Sequence, residues 1–213
     1  MNKKSSDPGS SALDEETARA EMYGLLAMLY LSPPSKEVWQ AMQVAVTEAP
    51  MPGAFLEEPW RQLVACTRDR SLDDVAREFD ELFGGVGKPD IDLFGSVYQV
   101  GFLNERPLAD LRAELAEMGL QSHPDAATPT EDHIAYLLEV MRFLIAGDDM
   151  AICHLTRQKA FFGRHLEGWI DALCSAIEGH PKARFYAALA AMTRAFVAVE
   201  RQAEDGKIGR AHV

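Results

Sequence analysis

The stretch 130-TEDHIAYLLEVMRFLIAG-147 decides the fold class. Its apolar residues Ile134, Leu137, Leu138, Met141, Leu144 and Ile145 recur at spacings of three and four, the period of one helix face. Thr128, Pro129 and Glu131 form a start signal ahead of the run. That start places Glu131 and Asp132 in the first turn, where carboxylates interact favourably with the helix dipole. Asp132 beside His133 also raises three chemical uses: proton transfer, metal binding, or a polar handle on a surface that grips another protein.

The same period runs outward along the chain. A helix beginning after Ser11, with Asp14 as its capping-box partner, is predicted to lay Ala18, Met22, Leu25 and Leu29 on one face. Ser35 can cap a second helix carrying Val38, Met42 and Val46. Pro59 suits the first turn of a third, which bears Leu63 and Val64. Ser71 and Asp74 make another capping box, followed by Val75, Phe79, Leu82 and Phe83 on one stripe. Helices resume at Pro107 with Leu108, Leu111, Leu115 and Met118. Leu166, Trp169, Ile170, Leu173 and Ile177 form a later stripe. Pro181 starts a last long helix with Phe185, Leu189, Met192, Phe196 and Val199 facing inward.

Between them, 84-GGVGKPDIDLFGSVYQVGFL-103 breaks the pattern and reads as a long irregular linker. Gly95 weakens the alternation in 93-LFGSVYQV-100, so no strand is predicted. The expectation is an all-α fold, one compact multi-helix globule of about eight to ten helices, each roughly 10–20 residues long. The globule spans 12–202, between a disordered N-terminus (1–11) and a disordered tail (203–213) of small and charged residues.

Composition limits the function. With 33 acidic against 21 basic residues the net charge is −12, which disfavours nucleic acid as a partner and favours basic peptides. The apolar run from Met22 to Leu31 is too short to span a bilayer and stops at Pro33 and Pro34, and the first seventeen residues carry no secretory apolar region. A cytoplasmic protein without stable membrane insertion is therefore expected. Cys66, Cys153 and Cys174 show neither a C-x-x-C nor metal-ligand spacing, and read as buried, reduced thiols.

Catalytic signals are weak. The run 84-GGVGKP-89 resembles a phosphate loop only in its glycines; it lacks Ser or Thr after Lys88. Asp132 and His133 are consecutive, so on a helix they diverge by about 100° and cannot converge on one atom as an i, i+3 pair can. None of the six histidines pairs with another at i, i+4, so no metal site is predicted.

Taken together, 78-EFDELFGGVGKPDIDLFGSVY-98, 131-EDHIAYLLEVM-141 and 161-FFGRHLEGW-169 resemble, in order and spacing, the TorD/DmsD/NarJ family of redox-enzyme maturation chaperones. The resemblance reaches from the first helix to 185-FYAALAAMTRAF-196. It implies a chaperone without catalytic activity or cofactor, acting as monomer or homodimer. Such a chaperone binds the apo catalytic subunit of a molybdopterin oxidoreductase, and its twin-arginine signal peptide, before export. Family members often carry two prolines before the loop aromatic; Asp92 and Leu93 stand there here.

Carried over by position, the signal-peptide and client-binding surface would comprise Leu82, Phe83, Phe94, Gly95, Ser96, Tyr98, Glu131, Asp132 and His133. Glu131 or Asp132 would pair the leader arginines. Leu82, Phe83, Phe94 and Tyr98 would bury its apolar segment, and His133 would donate to a peptide carbonyl or tune the carboxylate. Two readings stay open beside this one: an all-α protein–protein adaptor without an export role, and a nucleotide-hydrolysing enzyme centred on Asp132 and His133.

Overall fold

The computed structural model describes residues 8–47, 56–84, 88–103, 106–120 and 129–208. Ten helices and no strand occur among them: α1 (Pro8–Leu31), α2 (Lys36–Gln43), α3 (Glu57–Asp69), α4 (Leu72–Phe83), α5 (Gly95–Val100), α6 (Arg106–Glu117), α7 (Ile134–Ala146), α8 (Leu155–His165), α9 (Ile170–Glu178) and α10 (Phe185–Ile208). The all-α expectation holds. α1 packs along α7, and α10 packs against both α9 and α3, so one core runs through the bundle.

Local signals set several boundaries. Ser35 accepts the Val38 N–H at the start of α2, and Ser71 and Asp74 form the reciprocal capping box of α4. The predicted stripe of α6 is buried throughout, as is that of α9. The ends of α10 and α1 follow other forces. Glu78, buried on α4, accepts the backbone N–H groups of Arg184 (2.7 Å), Phe185 (3.2 Å) and Tyr186 (2.9 Å), capping α10 from across the core. α1 begins at Pro8, ahead of the expected start after Ser11, and α10 continues to Ile208, past 202.

Two expectations are corrected. The inward face of α1 is Tyr23, Leu26, Ala27, Leu29 and Tyr30, while Ala18 is exposed and Met22 and Leu25 are half-buried. The phase shifts because both tyrosine hydroxyls find partners on α10: Tyr23 donates to Glu200 (3.1 Å) and Tyr30 pairs with Thr193 (3.0 Å). A tyrosine with a satisfied hydroxyl is as good a core residue as leucine. The irregular linker also contains α5, whose C-cap Gly101 adopts the left-handed conformation at φ +86°. Gly85, Val86, Gly87 and Thr128 lie outside the described residues.

Cys153 and Cys174 are buried, Cys66 is half-buried, and all three are free thiols. No described helix is long and apolar enough to cross a membrane.

Candidate functional site: a stitched loop beside an apolar cleft

The helix around Asp132 starts later than the sequence suggests. His133 is the N-cap of α7, in extended backbone, and its Nδ1 accepts the Ala135 N–H at 3.2 Å. Glu131 and Asp132 thus precede the helix and lie outside its first turn. His133 instead forms an isolated antiparallel bridge with Phe94, in which Gly95 N–H donates to the Asp132 carbonyl (2.9 Å) and Ile134 N–H to that of Leu93 (2.8 Å).

The Asp132 side chain completes the stitch. Its Oδ2 accepts the Ser96 N–H at 3.0 Å and the Ser96 hydroxyl, and its Oδ1 accepts the Thr130 hydroxyl at 2.6 Å. The carboxylate so enclosed is only 3% exposed and spends both oxygens within the protein. Gly95 lets α5 approach Trp169, whose ring would lie 3.1 Å from any Cβ there. Tyr98 stacks on the same indole, 5.4 Å between centroids, and donates to the Asp92 carbonyl at 2.9 Å. Burial pushes its phenol up to about 12.

The structure brings Phe94, Gly95, Ser96, Asp132 and His133 together, with Tyr98 on the same short helix. It separates the rest. Leu82 is fully buried and touches this region through its carbonyl, which accepts the Ile91 N–H. Phe83 packs edge-on against Phe79 and Tyr186. Glu131 is held by Arg112 at 2.8 Å. Leu82, with no exposure, cannot line an open cleft, whereas Phe83, Phe94 and Tyr98 are half-buried and sit in separate ring contacts. The carboxylates expected to meet arginines are already engaged within the protein.

His133 is equally committed. Burial pulls its ring down to about 4, and the neighbouring Asp132 offsets that only in part. The ring is neutral at pH 7; with Nδ1 accepting from Ala135, the proton sits on Nε2. His133 Nδ1 is thus occupied by the Ala135 N–H, and Asp132 accepts three hydrogen bonds from within the protein. Among the described residues no cluster of His, Cys, Asp and Glu could hold a metal ion.

An open apolar cleft begins beside this loop. Phe94 meets the His133 ring edge-on at 5.1 Å, and His133 lies 6.0 Å from Tyr136, which lines the cleft. The cleft measures about 760 Å³. α1 contributes Leu25, Met28 and Leu31; α2 contributes Val38, Ala41 and Met42; Trp60 of α3 and Ala135 of α7 close it. Met28 and Leu31 are 44% exposed, so large apolar surface faces water here. Three charged residues complete the lining: Glu21, Glu139 and Arg142.

This cleft has no counterpart among the sequence-based expectations. Its signal is the run 22-MYGLLAMLYL-31, which is apolar on every side. A helix of that kind buries one face and leaves apolar residues on the other unless something covers them.

The described residues thus form an all-helical bundle with an open apolar cleft whose lining includes Glu21, Glu139 and Arg142. Residues 53–175, more than half of the chain, match the family described as Nitrate reductase delta subunit, and the chain belongs to that family of NarJ/TorD-type molybdoenzyme maturation chaperones. The match spans α3 to α8 and part of α9; α1 and α2, which form much of the cleft, precede it. No curated protein matches the chain.

Proposed function

We propose that this protein is a cytoplasmic chaperone that binds the apo catalytic subunit of a molybdopterin oxidoreductase. It takes the subunit's arginine-bearing signal peptide into the α1–α2–α7 cleft and delays export until the cofactor is inserted. The observation that carries this reading is the open apolar cleft in a chain of a molybdoenzyme-chaperone family. Its volume suits the inserted face of a helix of about three turns, given a helix diameter of roughly 10 Å. Glu21, exposed and without an ion-pair partner among the described residues, together with a net charge of −12, favours a basic segment over an acidic one.

In this reading the residues named from the resemblance divide by role. Phe94 extends the apolar surface past Tyr136 and meets the client. Gly95, Ser96, Asp132 and His133 hold that surface in place, and Tyr98 fixes α5 on Trp169. Leu82, Phe83 and Glu131 act through the core and through Arg112.

The test is a titration of the full-length protein and its Met28→Asp variant with the leader peptide of the catalytic subunit that co-purifies from the native host. Met28 is partly exposed on α1, so the variant should melt within about 1 kcal/mol of wild type. A carboxylate set into an apolar contact should weaken binding by at least ~2 kcal/mol, about thirtyfold. Undiminished affinity in the folded variant removes the cleft from this account.

A further inference from the structure

Arg142 lies across the wall of the cleft. Its aliphatic stem rests on α1 at Gly24, where an added Cβ would come within 2.8 Å of its Cδ. Glycine inside a helix is less favourable than alanine, and here the missing side chain is the space that the stem fills. At the far end the guanidinium grips Glu139, one turn back on α7. Its Nε lies 2.8 and 2.9 Å from the two carboxylate oxygens, and NH2 donates to Oε1 as well.

Both partners are half exposed, Arg142 at 46% and Glu139 at 47%. An ion pair that wet is weak and exchanges readily, contributing roughly 0.2–1 kcal/mol. Glu139, Gly24 and Arg142 all line the cleft, with Glu21 beside them. The cleft thus already contains an arginine on a carboxylate, with its stem in the space left open by Gly24.

We propose that Gly24 and Glu139 form a guanidinium seat, filled by Arg142 while the chaperone is empty and taken over by a client arginine on binding. The inference rests on the cleft being the client site. Exchange of one guanidinium for another keeps Glu139 paired in both states, so opening the cleft strands no carboxylate. It also makes the cleft selective. A lysine has no planar fork to match the carboxylate, and a segment without a cation must leave Arg142 where it is.

The test titrates the full-length wild type, Arg142→Ala, and the double variant Arg142→Ala/Glu139→Gln. The probe is a synthetic peptide of two adjacent arginines followed by about three turns of leucine and alanine. A second probe has both arginines replaced by glutamine. Removing the resident arginine should tighten binding of the arginine peptide about two- to fivefold, the equivalent of a wet ion pair no longer in competition. The glutamine peptide should show no gain, and the double variant should lose the gain. The proposal is overturned if Arg142→Ala binds the arginine peptide no better than wild type. It is overturned too if both peptides gain alike, which marks a merely widened cleft, or if the gain survives Glu139→Gln. Those failures leave the cleft reading standing; absence of wild-type binding to either peptide sinks both.

Discussion

Replacing Asp132 with alanine removes the acceptor of three hydrogen bonds at a site 3% exposed to solvent. The Ser96 N–H and hydroxyl lose their partner in a residue with no exposure at all, and each stranded donor costs about 1–3 kcal/mol. The Thr130 hydroxyl, half-buried, can turn to water and adds little. Relief from desolvating a carboxylate offsets part of the loss, which leaves a net destabilisation of about 3 kcal/mol. For a chain of this size each kcal/mol shifts the melting temperature by roughly 2–4 °C, so the variant should melt about 6–12 °C below wild type. Thermal unfolding followed by circular dichroism at 222 nm measures this directly. The double variant Asp132→Ala/Ser96→Ala should recover part of the loss, because removing both partners strands fewer groups than removing one. An Asp132→Ala protein that melts with wild type yet no longer binds leader peptide would refute this reasoning and restore Asp132 as an exposed recognition handle.

Other expectations follow from the same contacts. His133 titrates at about 4 in the folded protein against about 6.5 when unfolded, so its contribution is full above pH 6.5 and lost as pH falls towards 4, amounting to about 2 kcal/mol at pH 5. Urea titrations of wild type and His133→Asn at pH 7 and pH 5 should show a smaller pH loss in the asparagine variant, which still caps α7 but does not charge; equal losses would place the proton elsewhere. Glu78→Ala strands the three N–H groups opening α10 and should lower stability by about 3 kcal/mol, read by urea unfolding, with unchanged stability contradicting the cap. Gly95→Ala should destabilise by about 1–3 kcal/mol, because the new methyl meets the Trp169 ring and overpacks the contact. A melting temperature equal to wild type would mean that α5 is free to lift.

Much of the fold was written in local chemistry. The Ser71–Asp74 box and the stripe from Leu108 to Met118 depend on residues three or four apart, so the sequence carries them directly. α1 shows where that stops. With apolar residues on all sides from Met22 to Leu31, periodicity supplies no phase, and the inward face was decided by partners on α10 for two tyrosine hydroxyls. The site follows the same division. Asp132, His133, Phe94 and Ser96 were recognisable as a group through the family resemblance. That Asp132 faces Ser96, 36 positions away, is a tertiary fact no local pattern encodes, and it turns an expected handle into a buried tie. The cleft stayed hidden because it is an absence, the side of α1 that α2, α3 and α7 leave uncovered.

The most direct test of the central claim is a photo-crosslinking map. A leader peptide carrying benzophenone at one apolar position is irradiated on the full-length protein, and the adducts are located by mass spectrometry. Adducts are expected on Met28, Leu31, Trp60 and Tyr136, which line the cleft. Adducts confined to Val100, Phe102 and Leu103, the exposed apolar residues at the end of α5 and just beyond it, would contradict it and move the client to another face.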